Sequence, residues 1–349
     1  MNRVIKEDVN NIIDDTPSLA KLNNCTFAVT GASGMIGKYI VNTLIELNRR
    51  FNSNIKILVM VRNRDKLEDY ILNDPNVEVI IYDVTNKLDR DEKVDYFIHA
   101  ASPASPLIMK EKPFETNLAN TVGTANTLEF CIKKGIKGYL FVSSREIYGQ
   151  PNDGQEFFYE DGLLGQVDPL VARNGYAEGK KAAENMCISA KEEYGVNTKI
   201  VRLAHTYGPF MSIDDGRVQA DFLKNIINYQ NIIMKSEGSS VRTYTYVADA
   251  INAIFKVLLD SVDVVYNIAN EEDRVSIKEL ATILVNLYQD RGISLITEVD
   301  HSNDKGSASF TSGILSSKKL RRELKWKPRY SIEDGFKRTV DYLESTKGK

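Results

Sequence analysis

The fold class predicted by this sequence is α/β: a doubly wound parallel sheet carrying a smaller, mostly C-terminal α/β lobe. Three observations predict it. Short apolar runs alternate with helical patterns through the first part of the chain. A glycine-rich turn, "TGASGMIG", follows the first run and opens a helix. The last third, from "VSIKELATILVNLYQ" to "WKPRYSIEDGFKRTVDYL", is helical and keeps no strand rhythm, which marks a separate cap.

Residues 1–21 predict an appended helix, because apolar Val4, Ile5, Val9, Ile12 and Ile13 recur at roughly helical spacing. "CTFAVTG" reads as the first strand and "MIGKYIVNTLIELN" as the helix after its turn. "IKILVMV", "VEVIIYD", "VDYFIHAA" and "KGYLFVSS" supply the second to fifth strands. The helix "ETNLANTVGTANTLEFCIKKG" lies between the last two, with Gly135 as its stop. The sheet is expected over 22–204, with 243–268 returning to it, and the second lobe over 205–242 and 269–345.

A chain of 349 residues holds one large α/β unit or two modest domains. Its formal charge of −3 gives no reason to expect a nucleic-acid or membrane-surface partner. Cys25, Cys131 and Cys187 have neither metal nor redox spacing and read as reduced thiols of a cytoplasmic protein. The N-terminus lacks the apolar stretch of a signal peptide, and no apolar run approaches a membrane span.

In "TGASGMIG", Gly31, Gly34 and Gly37 allow a tight turn, close approach of backbone to a pyrophosphate, and tight packing of helix on strand. The helix start adds N–H groups and a positive dipole end. After the first strand of a βαβ unit, this pattern predicts dinucleotide binding on a Rossmann-type sheet, with Ser33, Met35 and Ile36 among the contacts. The second strand ends in "MVRNRDKL", without the acid that holds an NAD ribose. Arg62, with Arg64 beside it, suits the 2′-phosphate of NADP; the other reading is a pair of solvated arginines. NAD and NADP both stay open. Asp83 and Val84 close the third strand, where the carboxylate can accept from an adenine amino group. Ala100, Ala101 and Ser102 close the fourth, and Asn120 completes the expected cofactor contacts.

"YAEGK" sets Tyr176 and Lys180 four residues apart, on one face of a helix. That spacing predicts an ammonium beside a phenol, lowering its pKa so that it acts as a base toward a sugar hydroxyl. Ser144, at the end of the fifth strand, would hydrogen-bond the reacting oxygen.

These glycines, Asn120 in "NTVGT", Ser144 in "SREIYG" and the Tyr176–Lys180 pair resemble the extended short-chain dehydrogenase/reductases, the nucleotide-sugar epimerases, dehydratases and decarboxylases. The likeness runs from about residue 22 to "WKPRYSIEDGF". "HAASPASP", "YAEGKKAAENMC", "DDGRVQADF" and "GSSVRTYTYVADA" are most similar to UDP-glucuronate decarboxylase segments. The resemblance implies a nucleoside-diphosphate sugar as substrate, oxidation at C4, a substrate-binding second lobe, and a homodimer through the Tyr176 helix and the one before it. It makes Glu146 the acid/base of a second step, decarboxylation or dehydration; the structural alternative is a turn cap or a pair with Arg145. A 4-epimerase, a 4-ketosugar reductase and a non-catalytic cofactor sensor are the competing readings.

Arg145 departs from the family, which has a small or acidic residue there. An extended backbone would point it away from Ser144 and Glu146; a turn would bring it toward a substrate carboxylate or phosphate. Arg217 and Arg242 resemble substrate ligands, and Ser102 is expected to touch substrate as well as cofactor. His205 stands where relatives have asparagine, as a hydrogen-bonding substitute or a base. Phe210 replaces an arginine. His99 resembles the family's structural histidine, and His301 lies in a polar loop.

Overall fold

A computed structural model describes residues 1–161, 164–298 and 313–347. His301 lies outside the described residues. The sheet contains β1 (Thr26–Thr30), β2 (Lys56–Val61), β3 (Val77–Ile81), β4 (Tyr96–His99), β5 (Gly138–Ser144), β7 (Thr198–Leu203) and β11 (Val265–Ile268). Their order is β11-β7-β5-β4-β1-β2-β3, and every neighbouring pair is parallel.

Alternation along the strands explains why both faces are covered. In β1, Phe27 and Val29 pack with α1 (Arg3–Asp14), α2 (Met35–Phe51) and the apolar residues of α8 (Val247–Asp260). Ala28 turns the other way, onto the cluster holding Leu128 and Cys131 of α5 (Pro113–Lys134) and Ala183 and Cys187 of α6 (Gly175–Tyr194). All three cysteines are buried free thiols. Helix α5 ends at Gly135, whose left-handed φ of 61° accepts the cap. The short α3 (Asp69–Leu72) and α4 (Pro106–Glu111) fill connections.

The last third contains strands as well as helices. The small sheets are β12 (Arg274–Ser276), β10 (Val241–Tyr246) and β8 (His205–Tyr207); β13 (Leu295–Thr297) with β9 (Ile232–Met234); and β14 (Ile314–Leu315) with β6 (Phe157–Phe158). Each is too short to show a period in sequence. Around them lie α7 (Val218–Ile227), α9 (Ile277–Leu287), α10 (Lys318–Leu324) and α11 (Ile332–Thr346).

The N-terminal helix is not a loose appendage. Asp8 is fully buried and accepts hydrogen bonds from Tyr39 (2.7 Å), Tyr246 (2.6 Å), Tyr330 (3.1 Å) and Arg338 (2.9 Å). One carboxylate thus ties α1 to α2, to the end of β10 and to the C-terminal segment.

Candidate active site

The chain crosses from β3 back over β1 to β4, so a crevice opens at the C-terminal ends of β1 and β4, where such sheets hold their ligands. Gly31 has a φ of +67°, and a Cβ there would lie 2.6 Å from the Ala100 carbonyl oxygen. A Cβ on Gly37 would lie 2.3 Å from the Gly31 oxygen. Beneath the turn, Thr30 Oγ1 and His99 Nδ1 are 2.8 Å apart. Burial first, and then the Lys180 charge, push His99 down to about 3, so it is a neutral strut. Helix α2 starts at Gly34 with no side chain capping it, which leaves its first N–H groups to a phosphate. The cradle therefore fits a dinucleotide.

A cavity of about 450 Å³ runs from Gly31, Ser33, Gly34, Met35, Ile36 and Gly37 past Ala100 and Ser102 to Ser144, Arg145, Glu146, Tyr176 and Lys180, and on to His205 and Arg217. Most of the sequence-predicted cofactor and substrate residues thus meet in one space. Ser102 donates to Asn120 Oδ1 at 2.8 Å, and Asn120 in turn donates to the Thr116 carbonyl at 2.9 Å, so Asn120 braces the wall from behind. Ala101, Asp83, Val84, Arg62 and Arg242 do not line the cavity itself. Arg62 is exposed at the end of β2. Asp83 Oδ1 is engaged by the Thr85 N–H and hydroxyl at 3.0 and 2.8 Å. Burial pushes that carboxyl up, but the Thr85 bonds and Arg62 outweigh it and hold it below the usual range.

Ser144 caps a short 3-10 turn over Arg145–Tyr148, accepting from the Glu146 N–H at 3.2 Å, and it lines the same cavity as Tyr176. The Tyr176–Lys180 pair differs from the expectation of an ammonium lowering the phenol. Lys180 Nζ donates to the Val142 carbonyl at 2.7 Å and lies 5.9 Å from the Tyr176 ring centre. Burial, aided by the Glu146 charge, pushes Tyr176 up to about 12, against Ser144, Arg217 and Arg173. Burial likewise pushes Lys180 down to about 7, against Glu184.

Glu146 does not pair with Arg145. Arg173 takes both its oxygens, at 2.7 and 3.0 Å. Sequence reasoning missed Arg173; its one signal was a position three residues before Tyr176. The backbone turn after Ser144 settles the direction of Arg145, whose side chain enters the cavity wall. Arg217 is braced by Asp215 at 3.0 Å and by the Ala104 carbonyl at 2.5 Å. His205, opposite Tyr244 in the β8–β10 pairing, has an unpartnered buried Nδ1. Burial, with the charges of Arg145, Arg242 and Arg217, holds it well below the usual imidazole range, so it is neutral. Phe210 fills its place with a φ of 66° and an edge contact of 5.7 Å on Tyr39.

A buried network missed from sequence stands behind β5. Ser143 donates to Glu184 at 2.5 Å, Arg202 donates to Glu184 at 2.7 Å, and Arg202 reaches the Tyr148 hydroxyl at 2.7 Å. It fixes the strand end from which Ser144 and Arg145 project.

A glycine cradle at a topological switch point, opening into a cavity walled by Ser144, Tyr176 and Lys180, defines a dinucleotide-dependent enzyme of the extended short-chain dehydrogenase type. The chain belongs to the NAD-dependent epimerase/dehydratase family, whose sequence model matches residues 27–269. It is 28% identical over 316 residues to UDP-glucuronic acid decarboxylase 6 of Arabidopsis thaliana, covering 90% of this chain and 87% of that one. UDP-glucose 4-epimerase of Thermotoga maritima, solved with UDP-glucose, superposes with a TM-score of 0.76 at 23% identity over 92% of this chain and 99% of that one. The dTDP-glucose 4,6-dehydratase of Bacillus anthracis, solved with NAD, gives 0.72 at 20% identity over 93% and 97%. No helix among the described residues is long and apolar enough to cross a membrane.

Proposed function

We propose that this protein oxidises C4 of a nucleoside-diphosphate sugar, with Tyr176 taking the hydroxyl proton. The observation that carries the reading is the single cavity in which Ser144, Tyr176 and Lys180 face the glycine cradle. NAD or NADP, when bound, accepts the hydride from C4. Ser144, which lines the same cavity as Tyr176, hydrogen-bonds and orients the reacting oxygen. Arg173 neutralises Glu146, whose charge otherwise opposes ionisation of the phenol. Arg217 supplies a guanidinium suited to the diphosphate. Arg62, exposed and free of a neighbouring acid on its own strand end, leans the cofactor toward NADP. A homodimer through α5 and α6 belongs to the same reading.

A C4 ketone acidifies C3 and C5 and turns a C6 carboxylate into a β-keto acid. With Glu146 as acid/base at C5, the product is a decarboxylated or dehydrated sugar. A second reading, 4-epimerisation or ketone reduction with Glu146 structural, is favoured by the occupation of both Glu146 oxygens by Arg173.

The test is mass spectrometry of UDP, GDP, CDP and dTDP sugars incubated with the protein and either dinucleotide. A product that vanishes in Tyr176→Phe supports the proposal. Tight dinucleotide binding with no turnover of any sugar nucleotide would replace it with a sensor.

A further inference from the structure

An amide in the cavity wall is buried with both of its ends unmet. Gln219 is fully buried, and among the described residues neither its Nε2 nor its Oε1 has a hydrogen-bond partner. It lines the same cavity as Ser144, Tyr176 and Arg217. Of the other described residues lining that space, only His205 has a buried side-chain polar atom in the same state, its Nδ1. A buried carboxylate or imidazole escapes the cost of burial by changing its protonation. An amide cannot, so an unmet donor and an unmet acceptor together are a standing loss of stability. Leucine, of similar volume, would remove that loss. The amide is therefore matched to a ligand group rather than to the fold.

The place of Gln219 along the chain selects the part of the ligand. Helix α7 begins just after Arg217, and no side chain caps its start. Its first N–H groups therefore act with the Arg217 guanidinium on an anion, the diphosphate of the reading above. Gln219 stands two residues further on, an advance of about 3 Å along a helix. Its amide thus meets the atoms that flank the anomeric carbon, which are the ring oxygen and C2. The ring oxygen only accepts and would leave Oε1 unmet. A hydroxyl on C2 meets both ends, since its oxygen accepts from Nε2 while its proton goes to Oε1.

We propose that Gln219 is a specificity-determining residue: its amide holds the C2 hydroxyl of the sugar, and the site rejects a sugar nucleotide that lacks it. This rests on the nucleotide-sugar reading above. Holding C2 as well as the diphosphate fixes rotation about the anomeric C–O bond. The opposite side of the ring, with C4, is then presented to Tyr176.

The experiment compares wild type with Gln219→Leu by calorimetry, using glucose and 2-deoxyglucose as their UDP, GDP, CDP and dTDP derivatives with dinucleotide present. Both proteins are also titrated with NAD, NADP and the bare nucleoside diphosphates, and unfolded in urea. Wild type is expected to hold the glucose derivative about tenfold or more tighter than its 2-deoxy counterpart, because loss of the hydroxyl leaves the amide unpaired. Gln219→Leu is expected to hold the two alike, to bind dinucleotide and bare nucleoside diphosphate as wild type does, and to unfold at the same or higher urea. Equal binding of both sugars by wild type overturns the proposal, as does discrimination that survives in Gln219→Leu. Unfolding of Gln219→Leu at lower urea overturns it by making the amide structural. A weaker dinucleotide or bare nucleoside diphosphate in that variant overturns it by assigning Gln219 to the cofactor or the diphosphate. If wild type binds no sugar nucleotide at all, the nucleotide-sugar reading itself fails.

Discussion

Replacing Asp8 with alanine removes one carboxylate from the meeting point of four segments. Each oxygen of Asp8 serves two donors: Tyr39 and Tyr246 on Oδ2, Tyr330 and Arg338 on Oδ1, at 2.6–3.1 Å. Alanine leaves the Arg338 guanidinium without its main partner, although Glu7 and the Val4 carbonyl stay within reach at 3.1 and 3.2 Å. Removing one partner of a buried ion pair costs about 3–5 kcal/mol. Three phenols losing an acceptor add about 1 kcal/mol or more each where water cannot reach them, though such terms do not simply sum. Against a total stability of about 5–15 kcal/mol, the expected loss is a third or more. Asp8→Asn keeps the volume and one acceptor oxygen and is expected to lose less. Urea unfolding of wild type and both variants measures this, provided the slopes agree. An Asp8→Ala loss under about 1 kcal/mol would refute the reasoning and leave the N-terminal helix a passive cover.

Gly37→Ala places a methyl 2.3 Å from the Gly31 oxygen, a backbone atom that cannot swing aside, so dinucleotide affinity measured by calorimetry is expected to fall at least tenfold. Burial raises Asp249 to about 7, against the N–H bonds it accepts from Arg329 and Tyr330. Its folded pKa lies above its unfolded one, so its contribution is complete in acid and is lost as pH rises from about 4 through 7. Urea midpoints are therefore expected to fall across that window, and to fall less in Asp249→Asn.

Legibility followed locality. The parallel sheet was readable because its strands are short apolar runs, each next to its own helix, and the glycine cradle and the Tyr176–Lys180 pair each lie within a single turn-length motif. Contacts between distant segments left no sequence period. Asp8 meets residues 39, 246, 330 and 338, and a helical pattern at the N-terminus shows only that one face is apolar. Arg173 and Glu146 are separated by the whole β6 region, so the pair surfaced only in three dimensions. The direction of Arg145 hung on whether β5 ended in one more extended residue or a turn, a difference that residue types around Ser144 do not encode. Helical spacing put Lys180 on the Tyr176 face correctly, but it carried no information about the Val142 carbonyl that takes the ammonium instead.

The most direct test of the central claim follows a labelled hydrogen. Single turnovers with nucleotide sugars deuterated at C4 would be quenched, and the nicotinamide examined for deuterium. The account expects label on the nicotinamide with at least one sugar nucleotide, appearing about 10²–10⁴-fold more slowly in Tyr176→Phe, the range lost with a general base. Turnover of a sugar nucleotide with the label never leaving C4, or transfer at an undiminished rate in Tyr176→Phe, would contradict it.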